Sequence, residues 1–228
     1  MREQLVAPQI QLHNRASDVY HVESIHYTIA NTPRLINQYY NLVVKMYRKL
    51  YCHNFEISAQ EHLLNNLYGK IVVALDNHGD VIGGARVIIS EPGNRCLLPL
   101  ESIEFNLKQV LLDYNLNEIA YSEWGRFVIL STIENKAIIS ENIAKFCVNI
   151  SLASGCHFQF GLTNDPLKNR IEDLLSKINL KYTQLIPSSD MPRHPLFPKI
   201  RLYLGVADLR CLGQSEIAAP LMQDEGLN

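Results

Sequence analysis

The chain lacks several features that would assign it to a definite class. None of its apolar runs reaches the length of a membrane span, and its first residues lack the continuous apolar stretch of a signal peptide. A formal charge of −2 gives no basic excess of the kind that nucleic-acid-binding proteins carry. We therefore expect a cytoplasmic protein with no membrane span and no nucleic-acid partner.

Familiar catalytic and metal-binding motifs are also missing. The five cysteines form no Cys-x-x-Cys pair, and an odd count fits neither a disulfide framework nor a zinc site. The histidines have no metal-ligand spacing, so no metal site is predicted. Without a Gly-x-Ser-x-Gly elbow or a Cys/His pair, covalent catalysis has no candidate nucleophile.

The chain shows neither an internal repeat nor a domain linker. Its 228 residues are enough for one well-buried domain. We expect that domain at 21–210, between a loosely ordered arm at 1–20 and a mobile tail at 211–228.

The pattern of apolar residues predicts alternating strands and helices. The predicted strands are 22–29, a hairpin of 71–75 and 81–89, 119–130, 157–163 and 200–209. The predicted helices begin after Thr32, at Ser58, at a capping box at 131–134 and at Asp165, and a short one is expected within 101–114. This order predicts an α/β domain built on one mixed sheet, with helices on both faces.

Charged residues interrupt two of the predicted core strands. Glu123 and Arg126 lie three residues apart in one apolar strand, and Arg86 lies in another. Positions i and i+3 of an extended strand point to opposite faces, so we expect Glu123 and Arg126 to face different layers. A buried carboxylate is costly unless it is paired or used. The pattern therefore predicts a cleft that handles anions or protons.

These strands resemble those of the GNAT acyltransferases, and most closely those of the acyl-homoserine-lactone synthases and the N-acyl amino acid synthases. The resemblance covers about residues 25–190. It is carried by Gly-Gly-Ala-Arg at 83–86, by Glu-Trp-Gly-Arg-Phe at 123–127, and by Gly-Leu-Thr at 161–163 before an amphipathic helix. It implies the GNAT fold, in which a central pair of strands splays apart.

The resemblance also implies an activity and roles for individual residues. A GNAT N-acyltransferase of this group would move a fatty acyl group from a thioester to the amine of a small metabolite. Glu123 would accept the ammonium proton, with a pKa raised by burial, while Arg86 and Arg126 would organise the cleft or bind a substrate carboxylate. The alternative is a purely structural Glu123, paired with either arginine.

Further side chains are candidates for substrate binding. Trp124, Phe127, Val128 and Phe146 would line an acyl tunnel, and the Thr163 hydroxyl would bind the donor. The alternatives are that the four apolar side chains are ordinary core and that Thr163 helps to cap the following helix.

Two departures from the family pattern indicate the substrates. The residues at 131–136 contain no glycine, and Glu134 would repel a diphosphate. We therefore expect a phosphopantetheine thioester carried by acyl carrier protein as the co-substrate, with acyl-CoA as the alternative donor and no bound cofactor.

Where lactone synthases carry acidic residues for S-adenosylmethionine, this chain has Asn65, Asn66 and Tyr68. That difference favours an amino acid or similar amine as the acceptor.

Two questions stay open at the level of sequence. The chain is either an N-acyltransferase of this kind, a lactone synthase using S-adenosylmethionine, or a non-catalytic acyl-binding module. The basic residues of two predicted helices either form a docking face for an acidic carrier protein or are simply solvated; they are Lys136, Lys145, Lys168, Arg170 and Lys177.

Overall fold

The structure is a computed structural model that describes residues 24–51, 53–101, 115–186 and 200–212. The predicted arm at 1–20, nearly all of the predicted tail at 211–228 and nearly all of the short helix expected within 101–114 lie outside the described residues. Among the described helices, none is both long enough and apolar enough to cross a membrane.

A seven-stranded mixed sheet forms the centre of the molecule. Its spatial order is β1-β2-β3-β4-β5-β7-β6, and every neighbouring pair is antiparallel except β4 and β5. The strands are β1 (His26–Ile29), β2 (Gly69–Leu75), β3 (Val81–Ser90), β4 (Ala120–Ile129), β5 (Cys156–Asn164), β6 (Tyr182–Ile186) and β7 (Leu202–Asp208).

Within the described residues, four α-helices connect these strands, and the first two begin where their capping residues predict. They are α1 (Pro33–Leu50), α2 (Ala59–Tyr68), α3 (Lys136–Ala153) and α4 (Asp165–Ser176). The Thr32 hydroxyl accepts a hydrogen bond from the Leu35 N–H before α1, and the Ser58 hydroxyl accepts one from the Glu61 N–H before α2.

Three local predictions were wrong. The helix α3 begins at Lys136 rather than at Ser131, because residues 131–135 form turns, in which the Ile133 N–H donates to the Leu130 carbonyl oxygen and the Lys136 N–H donates to that of Glu134. The cap of α4 is Asn164 rather than Asp165, and its side chain accepts from the Leu167 N–H. Strand β6 was not predicted, and its residues show no regular alternation of buried and exposed positions.

The helices cover both faces of the sheet, as predicted. On one face, α3 and α4 pack on a core that contains Val72, Val87 and Trp124. On the other face, α1 packs on Ile71, Val73 and Val128, and buried Leu98 and Leu100 cover the neighbouring part of the sheet.

The two central strands separate half-way along their length. Strands β4 and β5 pair from Ala120 opposite Cys156 to Glu123 opposite Phe160, and the pairing ends there. Beyond that point β4 stays paired with β3, and β5 stays paired with β7 as far as Asn164. The splayed central pair that the family resemblance implied is therefore confirmed.

A bulge in β4 changes the direction of Arg126. Its φ is 53°, and the pairing of β4 with β3 shifts register between Gly84 and Arg86. The expectation that Glu123 and Arg126 face different layers was wrong, because the extra residue breaks the strand alternation on which it rested. Both side chains line the same small cavity.

Candidate functional site

Glu123 lies on β4 at its last pairing with β5 and is almost fully buried, with 6% of its surface exposed. Its Oε2 accepts a hydrogen bond of 2.8 Å from the Leu100 N–H. Burial raises the pKa of Glu123 to about 7, although that hydrogen bond and the charges of Arg86 and Arg126 act in the opposite direction. A carboxyl group with such a pKa exchanges protons readily near neutral pH.

The loop that holds Leu100 in place is itself well fixed. Leu98 and Leu100 are fully buried, and the Glu101 carboxylate accepts a hydrogen bond of 3.0 Å from the Leu98 N–H. Pro99, between the two leucines, lines the cavity next to Glu123. The loop therefore excludes water from one side of the carboxyl group.

The two arginines pair with Glu61 of α2 rather than with Glu123. The Arg86 Nη1 lies 2.6 Å from Glu61 Oε1. The Arg126 Nε and Nη2 lie 2.8 and 2.9 Å from Glu61 Oε1 and Oε2. Burial by itself would raise the pKa of Glu61, but the hydrogen bonds and charges of the two guanidinium groups outweigh it and hold that pKa below its ordinary value.

Sequence reasoning missed this role of Glu61, which was not among the predicted site residues. One signal was available in the sequence. Two guanidinium groups in core strands need more compensating charge than Glu123 alone provides, and Glu61 is an acidic residue in the helix that leads into the first hairpin.

Arg126 makes further contacts that fix its position. Its guanidinium carbon lies 5.2 Å from the centre of the Tyr47 ring and 5.0 Å from that of Phe55. The Tyr39 hydroxyl donates a hydrogen bond of 2.9 Å to its carbonyl oxygen. Arg126 therefore ties α1 and α2 to the bulge of β4. The Arg86 Nε, in contrast, has no hydrogen-bond partner among the described residues.

Two adjoining cavities open where β4 and β5 separate. The larger has a volume of about 310 Å³ and is mostly apolar, with walls from α1, α4 and the outer half of β4. The smaller, of about 120 Å³, is lined by Glu123, Arg86 and Arg126. Trp124, Arg126 and Thr163 line both. An elongated ligand can thus reach Glu123 through the gap in the sheet.

The structure brings most of the predicted substrate-binding residues together at the larger cavity. Trp124, Phe127, Val128 and Thr163 all line it. Phe146 does not belong with them, because its ring stacks on Tyr27 at a centroid distance of 5.8 Å and lines neither cavity.

The Thr163 hydroxyl is buried and has no hydrogen-bond partner among the described residues. The neighbouring Tyr182 phenol donates to the Gly161 carbonyl oxygen instead, at 2.8 Å. The capping role considered for Thr163 belongs to Asn164, whose side chain accepts from the Leu167 N–H. Thr163 lines both cavities, and its side chain lies next to the Tyr182 phenol.

The basic residues of α3 and α4 fall into two groups. Lys145, Lys168 and Lys177 each form an ion pair with an acidic residue of the same two helices. Lys136 and Arg170 have no acidic partner among the described residues and line the larger cavity, where Arg170 Nη2 donates to the Lys136 carbonyl oxygen at 3.3 Å. Positive charge is therefore concentrated beside the cavity at the start of α3.

No protein-family model and no curated protein sequence matches the chain. Solved structures do match it. FeeM, an N-acyl amino acid synthase from uncultured soil microbes, aligns with a TM-score of 0.61 at 11% identity, covering 82% of this chain and 92% of FeeM. The AHL synthase LasI aligns with a TM-score of 0.58 at 11% identity, covering 89% and 99%. An acetyltransferase of the GNAT family from Staphylococcus aureus Mu50 aligns with a TM-score of 0.52 at 10% identity, covering 82% and 99%. The chain has the GNAT fold.

This GNAT fold confirms the architecture that the sequence resemblance implied, and the two synthases confirm the resemblance itself. Within the fold, all three of the sequence stretches that carried the resemblance meet at one place. Arg86, Glu123 and Thr163, one from each stretch, line the smaller cavity.

Proposed function

We propose that the protein is an N-acyltransferase that transfers a fatty acyl group from a phosphopantetheine thioester to the amine of a small metabolite. The observation that carries this proposal is Glu123, a buried carboxyl group with a pKa of about 7 at the point where β4 and β5 separate. An amine that attacks a thioester must lose a proton, and a base of this pKa suits operation near neutral pH.

The reaction forms one bond and breaks one. The amine nitrogen attacks the thioester carbonyl carbon, the C–N bond forms, and the C–S bond then breaks to release the pantetheine thiol. Glu123 takes the proton that the nitrogen loses and passes it to the departing sulfur, which leaves as the thiol while the carboxylate is regenerated. Separated strand edges expose backbone N–H groups, and such groups stabilise the negative charge that develops on the carbonyl oxygen.

For the donor, we favour acyl carrier protein over coenzyme A. Lys136 and Arg170 place two positive charges beside the cavity, which suits the phosphate of a pantetheine arm and an acidic carrier surface. The turns at 131–135 contain no glycine, and the exposed Glu134 lies just before α3, where a diphosphate would bind.

For the acceptor, we favour an amine that carries a carboxylate, such as an amino acid. In the buried cluster, the single charge of Glu61 faces the two guanidinium groups of Arg86 and Arg126. Glu123 compensates the remaining positive charge only when it is ionised, and its pKa near 7 leaves it partly protonated at neutral pH. A substrate carboxylate would complete the charge balance in the smaller cavity.

The proposal is tested by incubating the purified protein with acyl carrier protein thioesters and a panel of amines. We expect release of free thiol together with an N-acyl amino acid, both identified by mass spectrometry. Release of methylthioadenosine from S-adenosylmethionine at a higher rate would instead show a lactone synthase. Tight binding of the acyl donor without thiol release for any amine would show a non-catalytic acyl-binding module.

A further inference from the structure

A tight turn between β3 and β4 carries the N–H group that reaches Glu123. Pro99 and Leu100 occupy its two central positions, and the Glu101 N–H donates to the Leu98 carbonyl oxygen at 2.9 Å. Proline is favoured at the first central position because its fixed φ suits a turn, and the N–H of the second takes no part in the hydrogen bond that closes the turn. The Leu100 N–H is therefore available for its 2.8 Å hydrogen bond to Glu123 Oε2.

Glu101 closes this turn a second time, through its side chain. Its Oε2 accepts a hydrogen bond of 3.0 Å from the Leu98 N–H, so one residue holds both backbone polar groups of Leu98. The Leu98 and Leu100 side chains are fully buried in the same core cluster as Ile88 of β3. The turn is thus fixed to the core by its leucines and held in shape by Glu101.

We propose that Glu101 is a positioning residue, which keeps the Leu100 N–H directed at Glu123 and thereby stabilises the ionised form of that carboxyl group. This inference rests on the proposed acyl transfer, in which the ionised form of Glu123 is the base. A donor that bonds the charged form of a carboxyl group favours that form. Glu101 lines neither of the two adjoining cavities, so it acts through the turn rather than on the substrate.

Two effects of Glu101 on Glu123 oppose each other, and two substitutions separate them. The hydrogen bond from Leu100 lowers the pKa of Glu123, whereas the negative charge of Glu101 raises it. Glu101→Gln removes the charge but keeps a side-chain oxygen that can accept from the Leu98 N–H. Glu101→Ala removes both. Because the charge is absent from both variants, the difference between them reports on the lost acceptor.

The other groups around these two carboxyl groups keep one charge state near neutral pH. They are Arg86, Arg126, Glu61, Cys96, Tyr121 and Tyr182. The arginines stay protonated, and the glutamate that pairs with them stays ionised because its pKa is lowered. Burial raises the pKa of the thiol to about 11 and raises that of both phenols, so these three groups stay neutral. A transition near pH 7 is therefore that of Glu123.

The first test compares the pH profiles of kcat/KM for one acyl carrier protein thioester and one amine, so that the titration of the amine is common to all variants. Loss of a hydrogen bond to a charged group should move the rise of kcat/KM about one pH unit higher in Glu101→Ala than in Glu101→Gln. At pH 7 the alanine variant should be roughly three- to tenfold slower, and the two rates should converge at high pH. A merely structural role would lower the rate at every pH.

Glu118→Ala is the matched control. Glu118 is exposed and also ends a tight turn, in which its N–H donates to the Asn115 carbonyl oxygen at 2.9 Å, and it lines neither cavity. Its pH profile should equal that of the wild type.

Nuclear magnetic resonance tests the same inference without turnover. With carbon-13 in the glutamate carboxyl groups, the signal that disappears in Glu123→Gln identifies Glu123. Its titration midpoint should be about one pH unit higher in Glu101→Ala than in Glu101→Gln. With nitrogen-15 in the leucines, the Leu100 amide signal of the wild type should move as Glu123 titrates, and Glu123→Gln should abolish that movement.

The possible outcomes separate this inference from the proposed function. A shifted Glu123 midpoint with no turnover of any thioester would reject acyl transfer and retain Glu101 as the residue that positions the Leu100 N–H. Equal midpoints in the two Glu101 variants would overturn the inference. So would a wild-type Leu100 amide signal that does not follow the titration of Glu123, and this result does not depend on whether Glu101→Ala folds.

Discussion

Glu123 is buried and accepts a hydrogen bond from the Leu100 N–H, and as the proposed base it should control the rate. Glu123→Gln keeps the shape of the side chain and removes the base, and we expect kcat/KM to fall by roughly 10²- to 10⁴-fold. In the wild type, kcat/KM should rise as the pH passes about 7, because only the ionised carboxylate accepts a proton. Thiol release measured across a pH series gives both results.

The matched control is Glu118→Gln, which makes the same chemical change at an exposed position. Its rate and its pH profile should equal those of the wild type. A wild-type rate in Glu123→Gln would end the assignment of Glu123 as the base.

The same carboxyl group should make stability depend on pH. Its pKa in the folded state, about 7, lies above the ordinary value of 4.5, so the folded state binds the proton more tightly than the unfolded state does. Proton binding by Glu123 therefore stabilises the folded state. This stabilisation is fully present below about pH 4.5 and is lost as the pH rises through 7. Glutamine does not titrate. We therefore expect urea unfolding to show that Glu123→Gln gains stability relative to the wild type between pH 5 and pH 8, and a constant difference would contradict the raised pKa.

Glu61 should matter more for stability than its place near the start of a helix suggests. Glu61→Gln leaves two largely buried guanidinium groups without their carboxylate, which costs on the order of 3 kcal/mol of unfolding free energy. The comparison is Glu56→Gln, which removes the exposed pair with Arg48 at 3.3 Å and should cost less than about 1 kcal/mol. Urea denaturation measures both, and equal small effects would show that the cluster contributes little to stability.

At the scale of the secondary-structure elements, the start of α3 should decide which donor is used. We expect acyl carrier protein thioesters to exceed the matching acyl-CoA in kcat/KM, and added salt should reduce this preference. Lys136→Gln should lower kcat/KM for the carrier-bound thioester by roughly fivefold, equivalent to about 1 kcal/mol for one charge contact. Lys145→Gln, which removes a lysine already paired with Glu141 at 2.8 Å, serves as the control. Equal or better use of acyl-CoA would refute the donor assignment.

Elements with strong local signals were predictable from the sequence. The caps at Thr32 and Ser58 and the hairpin turn between β2 and β3 depend on residues close together in the chain, and the structure shows them where they were expected. The start of α3 was not predictable from its capping pattern. Ser131 and Glu134 have capping-box spacing, but the chain forms turns there as it leaves β4. The position of residues 131–135 at the end of β4, rather than their capping-box spacing, determines their conformation.

The candidate site was predictable only in part, for a similar reason. Glu123, Arg86 and Thr163 follow from short motifs, and the structure places them around one cavity. Glu61 and the Leu100 N–H reach the site from a helix and a loop that no local pattern connects to β4. The bulge at Arg126 changes which face its side chain occupies, and a regular strand period cannot reveal it.

At the scale of the whole molecule, a bound donor should bridge the two parts of the sheet. A non-hydrolysable acyl-pantetheine at 100 times its dissociation constant should add about 2.7 kcal/mol to the free energy of unfolding. Hydrogen exchange measured by mass spectrometry should show slower exchange at 124–129 and 161–164, where β4 and β5 no longer pair with each other. Exchange at β1, which lies at the far edge of the sheet, is the internal control. Protection spread evenly over all strands would contradict binding in the gap.

The separation of β4 from β5 also has a consequence for folding. Strands β1 to β4 come from the first part of the described chain and pair through antiparallel neighbours, whereas β5 to β7 come from the last part. Within the sheet, the two groups are joined by the parallel contact of β4 with β5, and the chain crosses from one to the other through α3. During synthesis, each group can therefore assemble from its own neighbouring segments. The cleft between β4 and β5 forms only when the second group docks on the first.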